Sequence, residues 1–179
     1  MIFINSSHLL ATTYDTIDEV NMETLQEQTY TGLRGDRNAS VYTGHRTRDV
    51  RFTNGYGITF DGNRTVYLSL SNSYTILAID TNTDEVKVEV QSSLIYPYKL
   101  YFDVTTNSLL TIVSDRSYGR PNLGKWNLVT KELSFLLSRT SVSNSETISG
   151  LDIGSYWFAE AVNVGGSIWM IGDHGRDNR

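Results

Sequence analysis

A chain of 179 residues with 39% hydrophobic side chains is long enough for one domain with a sizeable core. Its formal charge of -5 and pI near 5.1 exclude a general grip on nucleic acid, which needs clustered Lys and Arg in net excess. With no cysteine, thiol catalysis, Cys-ligated zinc and disulfides are all ruled out, and no run of roughly 18 apolar residues is present to span a membrane.

The elements, in chain order, read as short strands joined by tight turns. Ile2-Phe3-Ile4-Asn5 precedes His8-Leu9-Leu10, the first of several pairs in which an apolar strand ends in Asn or Asp and a second apolar strand follows. Thr16-Ile17-Asp18-Glu19 fits a helix capping box, but Val20 to Thr24 belongs to a repeated turn, so a strand is expected over this segment. A long connection, 31 to 50, comes next. Strands are then predicted at 58 to 60, 66 to 70, 75 to 79, 86 to 90, 100 to 103 and 109 to 113, with a second long loop at 138 to 150. The pairs recur as Ile58-Thr59-Phe60-Asp61 before Val66, Leu100-Tyr101-Phe102-Asp103 before Leu109, and Glu160-Ala161-Val162-Asn163 before Ile168. The repeated turn reads Val20-Asn21-Met22-Glu23-Thr24, Ile79-Asp80-Thr81-Asn82-Thr83 and Trp126-Asn127-Leu128-Val129-Thr130. Its copies are spaced by roughly 50 residues, the period of a four-stranded propeller blade. In each, the Asn or Asp oxygen can accept N–H groups two residues on, and a Thr hydroxyl can do the same.

The stretch GYGITFDGNRTVYLSLSNSYTILAIDTNTDEVKVEV resembles the repeat of the NHL and YVTN β-propellers, which run from a Gly-Ile strand ending in Asp, through a Val-Tyr-Val strand, to an Ile-Asp-Thr-x-Thr turn. The resemblance covers 55 to 90 well, 98 to 137 moderately, and 1 to 30 and 151 to 173 weakly. It implies an all-β chain: one β-propeller domain or fragment over 1 to 179. Its blades are expected at approximately 1 to 31, 51 to 93, 98 to 138 and, incomplete, 151 to 179. About three and a half blades cannot close a ring, so the rest of a longer chain or neighbouring subunits is expected to complete the propeller along the edge at Ile168 to Ile171. The motifs are architectural and transfer no catalytic residue.

Candidate sites are few. Asn5, Asp61, Asp103 and Asn163 close equivalent turns, so they are expected near one rim; Asp61 and Asp103 are the metal candidates, with Ca²⁺ the ion such oxygens suit, although capping of their own turns is the stronger expectation. No cofactor is otherwise expected. Asn5, Asn38 and Asn63 head N-x-S/T sequons. Arg34-Gly35-Asp36 resembles the integrin-binding tripeptide, and with Arg37, Arg46 and Arg48 it lies in the long connection, where binding residues collect on rigid scaffolds. The leading expectation is a non-enzymatic extracellular interaction or adhesion module, partnered by protein or glycan. The alternatives are a calcium-dependent propeller hydrolase or lactonase and a structural subunit of an assembly or filament.

Overall fold

A computed structural model describes residues 1–33, 45–92, 95–115, 121–137, 147–148, 151–152, 156–164 and 167–174. Three antiparallel sheets of four strands follow one another along the chain. The first holds β1 (Ile2–Phe3), β2 (His8–Thr12), β3 (Thr16–Asn21) and β4 (Gln26–Gly32). The second holds β5 (Gly55–Phe60), β6 (Thr65–Leu70), β7 (Thr75–Asp80) and β8 (Val86–Gln91). The third holds β9 (Ile95–Asp103), β10 (Ser108–Asp115), β11 (Pro121–Asn127) and β12 (Leu133–Leu137). A short hairpin, β13 (Thr147–Ile148) with β14 (Leu151–Asp152), and a long pair, β15 (Tyr156–Val164) with β16 (Ser167–His174), come last. The hairpin begins inside the interval expected to be a loop. Among the described residues the one helical element is a 3-10 turn, Thr47–Asp49. The segment with the capping-box signal is strand β3, because Ile17 is needed in the core and the turn after Asn21 is closed by that side chain.

The second sheet shows why these residues form strands. Along β6 and β7, Val66, Leu68, Leu70, Leu77 and Ile79 enter a core shared with Leu10 and Ile17 of the first sheet. Tyr67, Ile76 and Ala78 point the other way, into a core shared with Leu100 and Leu109 of the third. This sheet is therefore buried on both faces, and its period-2 pattern sorts residues between two cores instead of between core and solvent. Leu68 is 0% exposed, and burying such a side chain contributes about 1.5–3 kcal/mol.

The sheets also share a direction. Gly57 on β5 lies against Tyr98 to Leu100 on β9, and Thr59 Oγ1 accepts the N–H of Phe102 at 3.1 Å, so the two strands run the same way. Sheets stacked face to face, each starting at a strand that adjoins the first strand of the next, are the blades of a β-propeller, of which this is a part.

Between the second and third sheets Tyr67 stacks on Phe102, with centroids 6.3 Å apart and planes 8° from parallel. Burial, followed by the charges of Asp61 and Glu89, pushes its phenol from 10.0 up to about 12. Tyr30 is raised to about 12 as well, by burial first and then by Asp84, Glu19 and Asp80. Both folded values lie above the unfolded one, so the contribution of the neutral phenols is complete below about pH 10 and is lost as pH rises towards 12. Absorbance titration of tyrosinate should show Tyr30 and Tyr67 ionising late, and Tyr67→Phe should remove one late-ionising group and move alkaline unfolding to higher pH. Simultaneous ionisation of every tyrosine near pH 10 in the folded protein would contradict this packing.

Candidate functional site

Each of the three four-stranded sheets carries two hairpin turns at the same end, and the two are sewn together. In the outer turn Asn21 Oδ1 accepts the N–H groups of Glu23 and Thr24, Asp80 Oδ1 those of Asn82 and Thr83, and Asn127 Oδ1 those of Val129 and Thr130, all at 2.8–3.0 Å. The repeated Thr thus contributes its main-chain N–H to this closure, where a hydroxyl had been expected. The residue that follows, Leu25, Asp84 or Lys131, takes a positive φ of 57°, 63° or 59°. The inner turn is tied on by one further bond per sheet: Met22 N–H to Ser7 O, Thr81 N–H to Arg64 O, and Leu128 N–H to Asn107 O. A shared backbone bond at the same place in three sheets gives this end a rigid frame.

The inner turns place the expected rim residues. Asn5 Oδ1 accepts from Ser7 and His8, Asp61 Oδ1 from Asn63, Arg64 and Thr65, and Asp103 Oδ1 from Thr105, while the Thr106 hydroxyl donates to Asp103 Oδ2. Burial raises the Asp61 pKa, but its three backbone N–H donors and the Thr65 hydroxyl outweigh that and hold it below the ordinary value. Asp61 and Asp103 lie at one end, as the repeat implies, with each carboxylate engaged by its own turn. Among the described residues no three His, Cys, Asp or Glu side chains stand together as a metal cluster. Asn163 falls in β15, paired with Ile168.

Charge concentrates at the second sheet. Arg64 pairs with Asp80, and that bond with the guanidinium lowers the Asp80 carboxyl while raising Arg64. Thr47 donates its hydroxyl to Asp84, and Arg46 donates to the Thr83 carbonyl. The Val86 N–H reaches His45 O at 2.8 Å, and Arg46 forms an isolated bridge with Glu85. The long connection therefore arrives back at the turn-bearing end, where Arg46 braces the Asp80 turn. Arg48 is exposed beside Asp49, 3.7 Å away. Arg34, Gly35, Asp36, Arg37 and Asn38 lie outside the described residues.

Two features were missed by sequence reasoning. A cleft of about 240 Å³ opens between the second and third sheets, lined among others by Tyr67, Asp80, Lys87, Asn107 and the Glu89–Lys131 pair. Glu89 also accepts the Trp126 indole N–H at 3.1 Å, which ties β8 to β11. Nothing in the strand periodicity links residues so far apart in the chain. The second feature is apolar: Leu25, Val104 and Val129 stand 76%, 77% and 73% exposed at the tips of turns, with Met22 beside Leu25. Here a signal existed, since apolar residues inside Asn- and Asp-headed turns break the polar composition such turns ordinarily have.

No protein-family model matches the chain, and no curated protein matches it. Among solved structures it is similar to one chain of the crystal structure of a nidogen/laminin complex, at 15% identity and a TM-score of 0.51, over 70% of this chain and 41% of that one. A structural-genomics protein of unknown function from Bacteroides thetaiotaomicron VPI-5482 matches at 12% identity and a TM-score of 0.37, over 77% of this chain and 47% of that one. The chain spans under half the length of each. The first likeness, at that identity, concerns the fold alone, and it agrees with the three stacked four-stranded sheets of a partial β-propeller.

Proposed function

We propose that the chain is a non-enzymatic protein-interaction module of the NHL/YVTN propeller type, working outside the cell, with the turn-bearing end as its binding face. The observation that carries this reading is the convergence of two features on one end of a rigid frame. Exposed apolar tips, Leu25, Val104 and Val129, project from turns already fixed by backbone bonds, and the connection that bears Arg34-Gly35-Asp36 re-enters there through Arg46. Apolar anchors held in place before binding lose little conformational freedom on association, which favours affinity. The similar chain comes from a nidogen/laminin complex, an assembly of proteins, which points the same way.

The test is attachment of cells to surfaces coated with the purified chain. Joint substitution Leu25→Asp, Val104→Asp and Val129→Asp should cut attachment at least tenfold, with the thermal midpoint little changed because these side chains are exposed. Loss on Asp36→Glu, which keeps the charge and lengthens the arm, would assign adhesion to the tripeptide. If it has no effect, the tips and the basic residues around Arg46 and Arg48, which suit an acidic protein or anionic glycan, carry the binding. Wild-type attachment no better than an uncoated surface would end the adhesion reading. Calcium is not assigned a part in this reading: the Asp61 and Asp103 carboxylates accept from the backbone of their own turns.

One observation favours a further kind of partner. Among the described residues β15 and β16 form a sheet of two strands, where each full blade has four. Strands from a longer chain or from a neighbouring subunit pairing along β16 would complete it, with main-chain bonds supplying the affinity. Intact mass and light scattering of native material decide this, and a functional 20.2 kDa monomer would defeat it.

A further inference from the structure

The sequons differ in what their asparagine does. Asn5 is the cap of its turn: its Oδ1 accepts the N–H groups of Ser7 at 2.9 Å and His8 at 2.8 Å. In the second sheet the equivalent position is Asp61, whose Oδ1 accepts from Asn63, Arg64 and Thr65 at 2.8, 2.7 and 2.9 Å. Asn63 therefore gives that turn its backbone N–H alone, and its exposed side chain is left out of the turn's closure. The Arg64 side chain next to it is held by Asp80. We propose that Asn63, in the sequence Asn63-Arg64-Thr65, carries an N-linked glycan.

The chemistry is a group transfer whose co-reactant is a lipid-diphosphate-linked oligosaccharide of the secretory route. The Asn63 amide nitrogen forms a bond to the anomeric carbon of the first sugar, the bond from that carbon to the diphosphate oxygen breaks, the lipid diphosphate leaves with its electron pair, and the amide loses one proton. Thr65 supplies the hydroxyl the acceptor sequence requires. The placement agrees with the surface around it. The outer and inner turns of the second sheet present Asp61, Arg64, Asn82 and Asp84, whereas the blades on either side present the apolar tips Leu25 and Val104 with Val129. Asn63 stands on the polar blade, between the two that carry the apolar tips.

This inference rests on the extracellular part of the proposed function, but its test does not depend on partner binding. The chain, directed into the secretory route of cultured eukaryotic cells, is digested, and its peptides are weighed before and after an amidase that removes N-glycans and converts the attached Asn to Asp. Secreted and cell-associated chains are analysed alike. The expected result is a glycan on the Asn63 peptide, conversion of Asn63 to Asp on deglycosylation, and loss of that modification in Asn63→Gln. An unmodified Asn63 peptide, or a glycan on Asn5 with Asn63 bare, would overturn the proposal. Attachment measured on bacterially made, unglycosylated chain tests the interaction reading separately, so each can fail without the other.

Discussion

Replacing Phe52 with Ala is expected to cost on the order of 3–5 kcal/mol, the range for deleting a fully buried aromatic ring. For a chain of this length that corresponds to a fall of roughly 10 °C in the thermal midpoint. Phe52 is 1% exposed and sits in the core that joins Leu10 and Ile17 of the first sheet to Leu68 and Leu77 of the second. It belongs to no strand. The stretch Val50 to Asn54 runs between two blades as a buried wedge, pinned by the Ser71 N–H on Asn54 O at 3.2 Å and by the Gly55 N–H on Tyr14 O at 3.1 Å. Flat sheets splayed around an axis leave a widening gap, and here the connection itself fills it. The same stretch continues from Arg46 and Thr47, so loosening the wedge should also loosen the brace on the Asp80 turn and weaken the binding proposed at that end. Denaturant unfolding of Phe52→Ala and Phe52→Leu measures this, with the leucine variant losing less. A change below about 0.5 kcal/mol in the alanine variant would mean that the wedge does not hold the blades together.

That wedge marks the boundary of what the residues disclosed in advance. Alternation in Val66 to Leu70 and Thr75 to Ile79, with the Asn- and Asp-headed turns at 21, 80 and 127, was enough to place the strands, because strand period and turn closure are local properties. Val50 and Phe52 have no period and no neighbours of their own kind, so in sequence they look like the rest of a polar connection. Arg46 was readable as part of a basic patch; its guanidinium also donates to the Thr83 carbonyl, a contact made by folding 37 residues of chain back on itself. The same limit hides Glu89 with Trp126 and Lys131. Of the candidate site, the residues were partly legible and their roles were not: Asp61 and Asp103 were seen as rim oxygens, and the structure shows which hydrogens those oxygens hold. The exposed tips were visible as misplaced apolar letters in polar turns, but exposure at 25, 104 and 129 depends on how neighbouring blades pack.

Gly57→Ala should be the most damaging single-methyl change among the described strands of the second sheet. A Cβ at this position would meet Tyr98 O, with Leu100 N at 2.6 Å and Lys99 Cα at 2.8 Å. All three are backbone atoms, so no side chain can rotate away and β5 must move off β9. Such overpacking costs about 1–3 kcal/mol for one methyl, and Gly57→Val should exceed that range. The close approach is also fixed chemically: Ser69 Oγ accepts the Gly57 N–H at 2.8 Å and donates to Tyr98 O, bridging the two innermost strands from the second strand of the blade. Ser69→Ala leaves that N–H buried without its acceptor, a loss of about 1–3 kcal/mol by a different route. Because both changes act on one contact, their effects in the double variant should add to less than the sum of the singles. The spacing of β5 and β9 sets the angle between the second and third blades, and hence the distance from Leu25 to Val104 and Val129 across the proposed binding face. Gly57→Ala should therefore weaken attachment by more than its loss of stability explains, measured well below its own unfolding temperature. A variant as stable as the wild type would show that the two strands do not touch here, and the shared direction of the blades would lose its main support.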